Sequence, residues 1–393
     1  MLKSFQSNIW KAYVFTFLSN LHFIGGILIP FFMDWGKISF FQIMILQSFY
    51  FVWVLLLEIP TGTVADFLGR KTSLAFSVVA GILATLIYTI RPEFLLFLLG
   101  EFFWALSTTL ASGAYEAFIY DSLQEAGQEN QSKKIFGRFG SFAMVATMIG
   151  APIGSMVAAY FGLRLAVLLM IAPFAMAFFV VLTFKEPKAR ARNESSRYSR
   201  ILIEGVKYFY SHKILRILAL DGMVIATLVF FLIWTYQLLL KQLNVDLIYF
   251  GIVHAFICAS QIIVMSNFEK LEKIFGSKSR YLFFSAFISG VAFIFLGLNV
   301  YVIPAILAML VISGFGLSRF VLISNYMQKH IESHNRATVV SAASMINNFG
   351  MMIVYPIIGL MVERSLNYTL IALGVLIVAF SLIPKIQDSY LID

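Results

Sequence analysis

Of the ionisable side chains inside apolar stretches long enough to cross a bilayer, four matter most: His22, Glu101, Asp221 and Arg319. Each costs about 3 kcal/mol or more at the bilayer centre, so such groups mark function by default. Glu101 lies about eight residues from the outer end of its stretch, roughly 12 Å deep in a core of about 30 Å. Its helical neighbours Trp104, Thr108, Ser112 and Tyr115 make a polar and aromatic stripe, as on a helix facing water or solute. A carboxyl there suits a proton carrier or a cation anchor. The alternative is a protonated carboxyl bonded to a neighbouring helix.

His22 sits in Ser19-Asn20-Leu21-His22. On a continuous helix Asn20 and His22 are about 200° apart, so only one can face a cavity. His22 with Ser19 is the expected one, and a neutral His bonded to another helix is the alternative. Asp221 and Arg319 each lie about nine residues from a cytosolic helix end, at one depth with opposite charges. A pair is the cheapest way to hold both in hydrocarbon, as scaffold or as gate. Trp234, Tyr236, Asn347 and Asn348 are further candidates. No nucleophile–base or metal-ligand constellation is legible: Cys258 is the only cysteine and the five histidines are scattered. The chain is not expected to be an enzyme or to hold a metal.

The elements that position these groups are membrane spans. Of 393 residues, 60% are hydrophobic and 12% charged, with mean hydropathy +0.87. A soluble chain carries about a quarter charged residues. Apolar runs of about 20 residues exclude a β-barrel, whose strands alternate. The pattern predicts an all-α polytopic protein of twelve spans, roughly 9–33, 39–62, 72–90, 93–120, 138–161, 163–184, 212–240, 247–267, 281–298, 301–327, 338–362 and 366–384. The first stretch lacks a small-residue cleavage site, so no cleavable signal is expected.

The net charge of +9 is not a nucleic-acid signal, because of its distribution. Lys37, Arg91, Arg164, Lys241 and Arg364 fall on one side and 23 of the 29 Lys and Arg on the other, with Arg319 inside a span. The positive-inside rule then places both termini in the cytosol. The basic segment 185–211 divides the chain into halves 1–184 and 212–393. It reads as a solvated, lipid-facing linker rather than a regulatory or nucleic-acid element.

One turn carries more information than any span: Gly62-Thr-Val-Ala-Asp66-Phe-Leu-Gly69-Arg70-Lys71. Its glycines let helix ends approach closely, its acid accepts charge-assisted hydrogen bonds, and its cations hold it in the cytosol. The pattern G-x-x-x-D-x-x-G-R-K resembles the loop between the second and third spans of the major facilitator superfamily. Glu58-Ile-Pro-Thr-Gly62 and Ser112-Gly-Ala-Tyr-Glu116-Ala-Phe-Ile-Tyr-Asp121-Ser-Leu123 look like a bacterial or archaeal branch of it. A weak internal repeat agrees: Ala151-Pro-Ile-Gly154 echoes Tyr355-Pro-Ile-Ile-Gly359, and Glu269 to Lys278 is a worn copy of the turn, with Lys273 where the acid stands.

The resemblance implies two pseudo-symmetric six-helix halves and alternating access. It places His22, Glu101, Asp221 and Arg319 on the four cavity-lining spans. It implies that Asp66 caps a helix of the other half and latches one state, with Glu58, Arg70, Glu116, Asp121 and Arg138 around it. Many drug–proton antiporters of the family carry an Arg in the fourth span where this chain has Glu101, so their proton route does not transfer simply. Gly150-Ala-Pro152-Ile-Gly154 loosely resembles the fifth-span motif of antiporters. The expectation is a monomeric inner-membrane transporter exporting a small organic solute or drug, with no cofactor beyond protons as coupling ion. Alternatives are uptake, uncoupled facilitation, or a non-transporting receptor on the same fold.

Overall fold

The computed structural model describes residues 2–187, 207–209, 211–332, 336–383 and 386–392. Most of the 185–211 linker therefore lies outside the described residues. The helices are α1 (Leu2–Ser19), α2 (Phe40–Leu68), α3 (Arg70–Ile90), α4 (Phe94–Glu125), α5 (Ser132–Phe161), α6 (Leu163–Leu168) and α7 (Ile171–Leu182). They continue with α8 (Lys213–Gln242), α9 (Leu247–Met265), α10 (Phe268–Phe275), α11 (Lys278–Leu298), α12 (Val302–Val311), α13 (Arg319–Lys329), α14 (Arg336–Arg364) and α15 (Leu366–Ser381). Among the described residues ten helical stretches are long and apolar enough to span a membrane, and Leu366–Ser381 is a shorter apolar one. The broken first span makes the twelfth.

Local sequence explains the ends. Ser39 opens α2 with a capping box: Gln42 N donates to Ser39 Oγ at 3.2 Å, and Ser39 N donates to Gln42 Oε1 at 2.9 Å. The α2–α3 turn closes at Gly69, whose φ of +92° favours a residue without Cβ. The 32 residues of α4 span about 48 Å, so its last turns stand clear of a hydrocarbon core of about 30 Å.

The chain packs into two compact units, Met1–Tyr198 with Leu247–His254, and Ser199–Asp246 with Ala255–Asp393. The sequence assigns all of the eighth span to the second half; the structure packs its first two turns into unit 1.

Small residues bring helices close, as in membrane interiors generally. In unit 1, Ser107 Oγ donates to Ser77 O and Ser73 Oγ to Leu110 O, both at 2.7 Å, joining α3 to α4. In unit 2, Gly290 of α11 faces the backbone of Gly374 of α15 so closely that a Cβ would lie 2.9 Å from its carbonyl oxygen.

The first span departs from expectation. Helix α1 ends at Ser19, residues 20–27 are not helical, and Leu28–Pro30 leads into a π-turn, Phe31–Trp35. Irregular backbone at membrane depth survives where protein buries it. Here the burying surface is built of glycines: a Cβ on Gly150 would meet His22 O at 2.8 Å, and one on Gly26 would meet Gly251 Cα at 2.6 Å. The proline motif of the fifth span thus supports the break in the first.

Candidate functional site

In unit 1, Glu101 is buried on α4. Gln47 of α2 donates from Nε2 to Glu101 Oε1 at 2.9 Å, and Tyr88 of α3 hydrogen-bonds to the same carboxyl. Glu101 thus touches two other helices of its own half. The stripe below it divides. Thr108 and Ser112 are exposed, and Tyr50 donates its hydroxyl to Thr108 Oγ1 at 3.0 Å. Trp104 and Tyr115 turn toward the first span: Trp104 meets His22 edge-on at 5.7 Å, and Tyr115 hydrogen-bonds to Thr16.

The helical-wheel argument for His22 is corrected by the break. Asn20 Nδ2 donates to Thr16 O at 2.8 Å, and His22 Nε2 bonds to Ser19 O at 2.7 Å. Both side chains turn back onto α1, and His22 meets a carbonyl, Ser19 O, that the helix end leaves open. Asn20 and His22 therefore do not exclude each other.

In unit 2 the structure joins Asp221 and Arg319. The guanidinium donates from Nη2 to Asp221 Oδ2, and from Nη1 to Leu282 O and to Ser285 Oγ, the last at 3.0 Å. Asp221 is 6% exposed and Arg319 3%, so the charges meet out of solvent. A π-turn, Ile312–Leu317, precedes Arg319 and interrupts the tenth span there. Trp234 and Tyr236 are core residues: Trp234 Nε1 donates to Tyr355 OH at 3.1 Å, and Tyr236 accepts from Gln237 Nε2 at 2.9 Å. Asn347 and Asn348 instead line a pocket.

At the α2–α3 turn of unit 1, Arg70 pairs with Asp121. Lys71 Nζ donates to Leu182 O at 2.7 Å. Asp66, Glu116 and Arg138 are exposed, and none forms an ion pair or hydrogen bond with another described residue. Gly62 faces open space. The sequence reading missed Glu186. Its Oε1 and Oε2 accept from Arg70 N and Lys71 N, each at 2.8 Å, so it caps α3 where the helix dipole favours an anion. Asn8 seats this segment, donating to Lys185 O at 2.8 Å and accepting from Lys185 N at 3.1 Å.

Unit 2 repeats the device. The worn turn folds as α10, ends at Gly276 with φ +86°, and starts α11 at Ser277, whose Oγ accepts from Arg280 N at 3.2 Å. Asp388, just after the last span, accepts from Ser279 N at 2.8 Å. That amide bond holds the Asp388 carboxyl below its ordinary value, so this cap persists above the usual Asp range and weakens as pH falls through the lowered one. In each half, then, a carboxylate following the sixth span caps the third. The signal was present in the sequence as Lys185-Glu186-Pro187, but its partner lies 116 residues away.

Apolar helices of spanning length in two halves, each with a capped turn, define a multi-pass membrane protein. The sequence pattern of the Major Facilitator Superfamily matches residues 10–355, and the chain belongs to that family. No curated protein matches the sequence. Among solved structures it is similar to the nucleoside transporter NupG (15% identity, 95% of this chain and 97% of that one, TM-score 0.80). It is similar also to a D-xylose–proton symporter (12%, 97% of each chain, 0.74) and to the POT family transporter PepTSo (11%, 96% of each, 0.73). At these identities the likeness is one of fold.

Proposed function

We propose that the protein is a secondary active transporter that moves a small organic solute by alternating access, and that it exports the solute in exchange for protons. The observation that carries the coupling is Glu101: a buried carboxyl near the midplane, on one helical face with the exposed Thr108 and Ser112. Export is supported by Gly150-Ala-Pro152-Ile-Gly154, which is built into the packing of the broken first span. In proteoliposomes of wild-type protein, a pH gradient directed against the solute flux should drive solute uphill. Each pH unit is worth about 1.4 kcal/mol per proton, or tenfold in concentration. A wild type indifferent to the gradient would overturn the coupling.

One observation favours a second reading, uncoupled facilitation or uptake. Both partners of Glu101 belong to its own half, and a strut bonded on two sides need not titrate.

The asymmetry of 23 cations against five supports an inner-membrane protein with both termini and the 185–211 segment in the cytosol. Single cysteines at positions 190 and 270, in a background lacking Cys258, should escape an impermeant thiol reagent added to intact cells. One at position 241 should react. Labelling at position 190 would reverse the topology.

A further inference from the structure

Unit 2 holds a pocket between α8, α13 and α14 whose described lining includes no charged residue. It offers about 150 Å³ of space. A cavity of about that size in a protein core takes up a benzene ring. Its polar lining is Ser324, Gln328, Ser344, Asn347 and Asn348, and none of these side chains hydrogen-bonds to another described residue. Asn347 lies eleven residues into α14, about 16 Å from that helix's cytosolic start. Asn347 and Asn348 are half-buried at that depth, so their carboxamides stand open to a partner that enters the pocket.

The rest of the wall is apolar. Met223 and Met327 offer flexible thioethers that settle against ring faces, and Phe320 adds an aromatic surface. Each carboxamide carries both donor and acceptor, so the edge they present matches a group that also carries both. No described lining residue is ionisable. A charged solute would lose hydration there without a counter-charge.

We infer that this pocket seats the recognised moiety of the transported solute, and that the moiety is an uncharged ring bearing an amide-like donor–acceptor edge. The inference rests on the transport reading above and narrows it to a substrate class.

The test uses the full-length protein in lipid nanodiscs and fluorine NMR of two isosteric probes, 4-fluorobenzamide and 4-fluorobenzoate. Wild type should bind the amide at least about tenfold more tightly than the carboxylate. Asn347→Leu and Asn348→Leu should each weaken amide binding by about five- to tenfold, the scale of one lost hydrogen bond. Thermal unfolding checks that each variant is folded. If either is not, Ser324→Ala with Gln328→Ala replaces it, with the same expected loss. Equal or tighter benzoate binding, no benzamide binding by wild type, or folded variants that bind like wild type would each overturn the assignment. Binding is read without any gradient, so the two readings fail separately. Benzamide binding in a protein that ignores pH leaves the pocket and removes the coupling. Gradient-driven transport without benzamide binding does the reverse.

Discussion

Asp221→Asn should destabilise unit 2 by about 3–5 kcal/mol, the usual cost of stranding one member of a buried ion pair. The structure adds an asymmetry. Arg319→Met leaves a lone carboxyl, and a carboxyl can escape the penalty by taking up a proton. Asp221→Asn leaves a lone guanidinium, which cannot be deprotonated in a protein. Its bonds to Leu282 O and Ser285 Oγ remain, but neither partner carries charge. The aspartate variant should therefore be the less stable of the two. The double variant should be more stable than Asp221→Asn alone, since both charges are gone and two neutral side chains fill the space. Unfolding midpoints of the four proteins close a double-mutant cycle. Losses that simply add would show that the two residues do not depend on each other. A pair that acts as a gate should also change the rate of solute exchange in the double variant. A pure scaffold should leave that rate near wild type.

This pair was legible in the sequence because one physical argument sufficed: two opposite charges at the same depth in hydrocarbon have few other places to go. The spans were legible for a similar reason, since apolar length alone sets them. Three features were hidden. The break at residues 20–27 interrupts no apolar run, and Gly25-Gly26 is an ordinary composition for a membrane helix. Its cause lies in glycines of other helices, Gly150 and Gly251, which no local window contains. The caps supplied by Glu186 and Asp388 depend on contacts across more than a hundred residues. The free carboxamides of Asn347 and Asn348 stand out only once α8, α13 and α14 are seen to leave space before them. For Glu101 the sequence placed the residue and left its partners open. The partners turned out to be Gln47 and Tyr88, on helices of the same half.

Those partners sharpen the expected result for Glu101→Gln. The substituted carboxamide keeps an oxygen to accept from Gln47 Nε2 and gains an NH₂ that can donate to the Tyr88 hydroxyl. Loss of folding stability should stay within about 1 kcal/mol, the worth of one ordinary hydrogen bond. What the variant lacks is the ability to bind and release a proton. A proton-coupled exchanger needs one group that does so differently in its two access states. Glu58, Glu116 and Asp121 lie too near the C-terminal ends of α2 and α4 to serve both sides. In proteoliposomes the variant should still exchange solute down its own gradient at a rate near wild type. Under an imposed pH gradient it should lose the wild-type accumulation, about tenfold per pH unit for a one-proton exchange. Should Glu101→Gln remain fully driven by the gradient, the carboxyl is a strut between α2, α3 and α4. The proton would then have to travel through His22, now seen capping α1, or through Asp221, which would have to release Arg319 at each turnover.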